Sequence, residues 1–144
     1  MAKQKPLESS KIKLSVALAT LNEENNLADC LLSVRGLADE IIVVDESSSD
    51  KTKEVAESFG ARIITTKHEP VFHISKQKAL QECRGEWILQ LDADERVSEV
   101  LAEEIKTVIS LLPEDLENYQ SNLPNLGLFL KHQNLLLLIT LLQL

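Results

Sequence analysis

Apolar residues along the chain fall into short runs that alternate with amphipathic stretches. Runs bounded by polar turns predict strands near 12–20, 40–45, 61–66 and 86–91. Between them, Leu27, Leu31 and Val34 recur at i, i+4, i+7 and predict a helix near 24–35. A second helix is expected near 51–59, with Asp50 as its N-cap, Val55, Ala56 and Phe59 as its apolar face, and Gly60 as a left-handed terminator. A third, near 74–83, has only Ile74, Leu80 and Cys83 to bury. The fourth starts at Ser98 as N-cap and carries Leu101, Ile105, Val108 and Leu112 before Pro113 stops it. Strand and helix alternate throughout, which predicts an α/β fold with a mostly parallel sheet flanked by helices.

That pattern divides the chain into a polar N-terminal segment (1–11), one α/β domain (12–119) and a Leu-rich tail (120–144). From Pro124 to Leu144, ten of twenty-one residues are Leu, and the run Leu135–Leu142 is shorter than the ~20 apolar residues that span a bilayer. Three readings stay open for the tail: a core helix without its partners, an interfacial membrane anchor, or a stretch that is not the natural continuation of the domain.

A net charge of −8 leaves no basic stripe to neutralise nucleic-acid phosphates. The polar first ten residues lack the apolar core of a secretory signal, so a cytoplasmic chain is expected. Cys30 and Cys83 stand alone without a Cys-x-x-Cys partner and read as small buried thiols. His68 and His73, five apart in an expected loop with no clustered Cys, make no zinc pattern.

The chemistry gathers at the strand ends. Gly85–Glu95 reads as a buried strand closing on Asp92-Ala93-Asp94-Glu95. On an extended backbone, Asp92 and Asp94 would share one side and could hold a hard divalent cation. The alternative is an acidic turn whose carboxylates only cap and solvate. Two more apolar runs also turn polar at their carboxyl ends, one at Thr20-Leu21-Asn22 and one at Asp45. In an open parallel sheet, that end is where ligands bind.

Four blocks carry a resemblance: Thr20-Leu21-Asn22-Glu23-Glu24-Asn25-Asn26, Val44-Asp45-Glu46-Ser47-Ser48-Ser49-Asp50-Lys51-Thr52, Lys76-Gln77 and Asp92-Ala93-Asp94-Glu95-Arg96-Val97-Ser98. In order and spacing they resemble the nucleotide-binding half of the family 2 glycosyltransferases, which have the Rossmann-like GT-A fold, and within them the lipopolysaccharide core branch. The resemblance implies inverting transfer of glucose or a related hexose from a nucleotide-diphosphate donor such as UDP-glucose to a glycan or lipid-linked acceptor, with peripheral membrane association. It implies that Thr20, Asn22 and Glu23 line the nucleoside pocket, that Asp45 accepts from base or ribose, and that Lys76 approaches the diphosphate. It further implies that Asp92 serves the donor phosphates, with Asp92 and Asp94 holding Mg²⁺ or Mn²⁺ there. Glu95 is a sugar contact, a support for the metal site or plain surface, and capping is the expected job of Asp50.

Three positions depart from the family pattern: Leu21 where an aromatic is usual, Ser47 where Gly is usual, and Gln77 where Asn is usual. Leu21 offers the base no aromatic face, and Ser47 is costly only if its φ must be positive. The general base of inverting transfer comes from the family's acceptor-binding half. Only fifty residues follow Asp94 here, and although Glu114, Asp115 and Glu117 have the chemistry, the catalytic base stays unassigned. Other readings are a binding-only remnant; a sugar nucleotidyltransferase, which needs a Gly-rich loop that Thr20–Asn26 lacks; and an Asp-nucleophile phosphatase, whose motif should end the first strand.

Overall fold

The computed structural model describes residues 11–111, residue 115, and the backbone of 128–132 and 135–139. The first four strands are β1 (Leu14–Thr20), β2 (Glu40–Asp45), β3 (Arg62–Thr65) and β4 (Trp87–Gln90). The helices are α1 (Leu27–Ser33), α2 (Thr52–Ser58), α3 (Phe72–Glu82) and α4 (Glu99–Ile109). Strands β5 (Leu128–His132) and β6 (Leu135–Ile139) complete a six-stranded sheet of order β3-β2-β1-β4-β5-β6. The first four strands run parallel, β5 pairs antiparallel with β4, and β6 pairs antiparallel with β5. The described parts of the tail are therefore strands, not the core helix that was one of its readings.

Period-two geometry explains the two cores. Leu14, Val16 and Leu18 of β1, Val43 of β2, and Trp87 and Leu89 of β4 face one side, against Leu27, Leu31 and Val34 and against Ile105 and Val108. Their sequence neighbours Ala17, Ile42, Val44 and Ile88 face the other, under Ala79, Leu80 and Cys83 of the α3 region. Every residue of β1 is buried, as a central strand covered on both faces requires.

Local signals held at several ends. Gly60 takes φ +74° behind α2, and Ser98 Oγ accepts from the Leu101 amide at 3.2 Å. Both cysteines are buried, and burial pushes the Cys30 thiol up to about 12 against the opposing charge of Arg96. Other boundaries moved. α1 is shorter than the periodicity predicts, because the Asn26 and Leu27 amides both close on the Glu23 carbonyl in a turn first. α3 starts earlier, which places His73 on a helix rather than in a loop, and its buried residues are Ser75, Ala79 and Leu80. Ile74, expected on its apolar face, is 48% exposed. Leu112 and Pro113 lie outside the described residues.

At the amino ends of the strands, a polar network sets the spacing of β1, β2 and β4. The Gly85 amide donates to Ser15 Oγ at 2.8 Å, and Ser15 Oγ donates to Glu40 Oε2 at 2.6 Å. The Arg84 amide and Nε donate to the same carboxylate at 2.9 and 2.7 Å. A Cβ on Gly85 would lie 2.7 Å from the Ser15 amide nitrogen and 2.8 Å from the Trp87 carbonyl oxygen, so the crossing admits only glycine. Burial alone would raise the Glu40 carboxyl, but the bonds from Ser15 and Arg84 outweigh it and hold it below the ordinary range.

Candidate functional site

The chain leaves β1 for β2 and β3 on one side, and β4 lies on the other. The carboxyl ends of β1 and β4 therefore flank the point where strand order reverses, where open α/β sheets bind ligands. Thr20 and Asp45 end their strands in register. Thr20 Oγ1 donates to Asp45 Oδ1 at 2.8 Å, Ser48 Oγ donates to the same oxygen at 2.6 Å, and the Ser48 amide donates to Oδ2 at 2.8 Å. Both strand-end residues are fully buried, and Asp45 holds the loop behind it through the two bonds from Ser48 while the bond from Thr20 ties it to the end of β1.

A ladder of side-chain bonds joins the loop after β1 to the loop after β2. Asn22, at φ +53°, accepts from the Ser49 amide at 2.9 Å and donates its own amide to Ser48 Oγ at 2.9 Å. The left-handed region is one that Asn tolerates. The Glu23 amide donates to Thr52 Oγ1 at 2.8 Å, and its carboxylate accepts from Asn26 Nδ2 at 3.2 Å. Asp50 accepts from the Glu24 amide at 3.2 Å and the Thr52 amide at 2.9 Å, and from Thr52 Oγ1. Burial works against the ionised Asp50 carboxyl, but these bonds prevail and hold it low. Asp50 precedes the cap residue Lys51, so it supports the start of α2 while also tying the two loops, a correction to the simple N-cap expected. Ser47 does adopt φ +58°, the strained case for a residue with a Cβ, and its hydroxyl donates to the Thr66 carbonyl at 2.7 Å.

A cation–carboxylate pair lies beyond β4. Lys76 Nζ of α3 is 2.6 Å from Asp92 Oδ1, with the lysine side chain 20% and the aspartate side chain 43% exposed. Beyond Gln90 the backbone turns: the Glu95 amide donates to the Asp92 carbonyl at 2.9 Å, and the Asp92 amide donates to Glu95 Oε2 at 2.7 Å. Asp92 and Asp94 thus belong to a turn and not to an extended strand, which corrects the geometry from which their shared side was expected. Asp94 is exposed. Among the described residues, no group of three or more His, Cys, Asp or Glu side chains gathers to hold a metal. The donor chemistry still fits Mg²⁺ or Mn²⁺, which are held by one or two carboxylates with remaining ligands from water and substrate phosphate. Glu95 is committed to the Asp92 amide.

Glu46 is the residue that motif reading passed over. It is buried, with Ser75 Oγ donating to Oε1 at 2.6 Å and His68 Nδ1 at 2.7 Å from Oε2. A Glu after a strand-end Asp reads as surface, and only folding brings its partners from 22 and 29 residues away.

The parallel sheet with its flanking helices is an α/β fold of the GT-A kind, and comparison with known proteins agrees. The model of the family "Glycosyl transferase family 2" matches residues 15–125. An uncharacterised glycosyltransferase of Rickettsia bellii is 38% identical over 105 residues, 72% of this chain and 35% of that protein. The lipopolysaccharide core biosynthesis glycosyltransferase LpsC of Rhizobium meliloti is 36% identical over 108 residues, 72% of this chain and 37% of that one. Among solved structures, S. aureus TarS 1–349 shares the fold with a TM-score of 0.57 at 24% identity, over 68% of this chain and 32% of that one. Glucosyl-3-phosphoglycerate synthase from Mycobacterium tuberculosis, in complex with Mn²⁺, UDP and glucosyl-3-phosphoglycerate, aligns with a TM-score of 0.51 at 25% identity, over 59% of this chain and 36% of that one.

The chain belongs to glycosyl transferase family 2. It spans about a third of the length of the curated relatives it matches.

Proposed function

We propose that residues 12–119 form the donor-binding half of a glycosyltransferase that moves glucose or a related hexose, with inversion, from UDP-glucose or a similar nucleotide sugar to a glycan or lipid-linked acceptor of the cell envelope. The observation that carries this reading is the Lys76–Asp92 pair, which sets a cation and a carboxylate side by side beyond β4, with the Thr20–Asp45 pair at the ends of β1 and β2. On this reading Thr20, Asn22, Glu23 and Asp45 shape the nucleoside pocket, Asp45 through the loop it holds, and Lys76 and Asp92 serve the diphosphate. Asp92 and Asp94 would hold Mg²⁺ or Mn²⁺, which when bound neutralises the departing diphosphate. No general base is assigned: Asp115 is exposed, and Glu114 and Glu117 lie outside the described residues.

The resemblance to LpsC supports an envelope acceptor, and the Mn²⁺ and UDP held by the mycobacterial synthase support the donor and metal classes. The reading puts the donor half in the cytoplasm, meeting a lipid-linked acceptor at the inner face of the membrane by peripheral association. Among the described residues, no helix is long and apolar enough to cross a membrane.

Calorimetric titration with UDP tests the proposal. Binding is expected with Mn²⁺ or Mg²⁺ present and is expected to weaken with EDTA and in Asp92→Ala and Asp94→Ala. Equal affinity with and without EDTA would remove the metal from the reading.

A further inference from the structure

The first turns of α3 lack the usual supports of a helix N-terminus. Its cap residue, Val71, makes no side-chain cap bond, and no acidic residue occupies the first turn. Apolar burial does not hold it either: Val71, Phe72 and Ile74 are 50%, 40% and 48% exposed. The apolar anchors of the helix, Ala79 and Leu80, come later. Within the first turns, the buried residue is Ser75, and its hydroxyl donates to Glu46 at 2.6 Å.

Glu46 is well placed to be that anchor. Its side chain is 0% exposed, its amide donates to the Thr20 carbonyl at 2.9 Å, and its second oxygen faces His68 in the segment after β3. A buried carboxylate is tolerated only when its oxygens are paired, so the two side-chain partners are held to it as firmly as it is held by them. Glu46 thereby joins the ends of β1 and β2 to the post-β3 segment and to α3. The residue after Ser75 is Lys76, whose ammonium meets Asp92.

We propose that Glu46 is a positioning residue for donor binding: through Ser75 it fixes the start of α3 so that Lys76 is delivered to the diphosphate end of the site. This rests on the nucleotide-sugar reading given above. Glu46 touches no substrate on this account; its effect passes through Lys76 and is confined to ligands that carry phosphate.

The test is a binding cycle with two ligands, UDP with Mn²⁺ and uridine, on the 144-residue chain. Glu46→Ala, Ser75→Ala, Lys76→Ala and Glu46→Ala/Lys76→Ala are compared, and Glu46→Gln serves as the conservative variant that keeps an acceptor for Ser75. Loss of a charge-assisted contact predicts that Glu46→Ala weakens UDP about tenfold while uridine changes less than about twofold. Ser75→Ala should follow in the same direction, Glu46→Gln should recover most of the affinity, and Glu46→Ala should add almost nothing once Lys76 is Ala. Amide exchange in residues 72–76 should quicken in Ser75→Ala, which leaves the carboxylate in place and guards against misfolding of Glu46→Ala.

Equal losses for UDP and uridine, or full additivity with Lys76→Ala, would overturn the positioning role and leave only a structural one. UDP binding by the parent that Ser75→Ala and Glu46→Ala leave unchanged would overturn this proposal alone. Failure of the parent to bind UDP would overturn the nucleotide reading and this proposal with it.

Discussion

Lys76 Nζ lies 2.6 Å from Asp92 Oδ1, so the two residues expected to share a ligand already neutralise each other without one. A cation that takes Asp92 as a ligand must compete with that ammonium. On the proposed donor-binding reading, that competition would free the lysine for an incoming diphosphate, so the contact that restrains the metal would also ready the phosphate contact.

This competition has a measurable sign. In Lys76→Ala, Mn²⁺ affinity without nucleotide should rise, by no more than about fivefold because a half-exposed ion pair is worth only ~0.2–1 kcal/mol. UDP affinity in the presence of Mn²⁺ should fall in the same variant. Mn²⁺ titrations followed by calorimetry or electron paramagnetic resonance check both, and an unchanged metal affinity would place the ion elsewhere.

Asp45 accepts three hydrogen bonds in a fully buried position. Asp45→Asn keeps the shape but turns one oxygen into a donor, which then faces either the Ser48 amide or the two hydroxyls. The orientation that keeps an acceptor for the Ser48 amide turns the NH₂ to the Thr20 and Ser48 hydroxyls, which must reverse to accept. Replacing three charge-assisted bonds by neutral ones predicts a loss of ~1–3 kcal/mol in urea unfolding. UDP binding should weaken as the Ser48 loop loosens, and the residual binding should keep its dependence on metal. A variant as stable as the parent would show that the charge does not organise this loop.

The Glu40 network predicts a dependence on pH. Its folded carboxyl is held below the ordinary value of 4.5, so near that pH the folded chain binds fewer protons than the unfolded one. The contribution is therefore complete above 4.5 and is lost as pH falls through the lowered folded value. Glu40→Gln should be less stable than the parent at neutral pH, with the gap closing on acidification. Asp50 and Glu86, also held low, leave a remaining slope in both proteins. Urea unfolding between pH 7 and pH 3 measures the gap; parallel curves would contradict the assignment.

Much of the frame was legible along the chain because it depends on local geometry. The alternation at Leu14, Val16 and Leu18 assigns faces of a strand whatever it pairs with, and Gly60 and Ser98 act on their own backbone neighbourhoods through φ and capping. The blocks after β1 and β2 were visible as polar strand ends, and the ladder between Asn22 and Ser49 and between Glu23 and Thr52 gives that adjacency its physical form. Tertiary structure alone decided the rest. An Asp-x-Asp sequence does not say whether its backbone is extended, and the bond from the Asp92 amide to Glu95 closes it into a turn. Nor does a Glu beside a strand say whether it is surface or anchor. Glu46 became an anchor because packing α3 over β1 and β2 removed water from its carboxylate and supplied Ser75 instead, an exchange between segments 29 residues apart that no local pattern encodes.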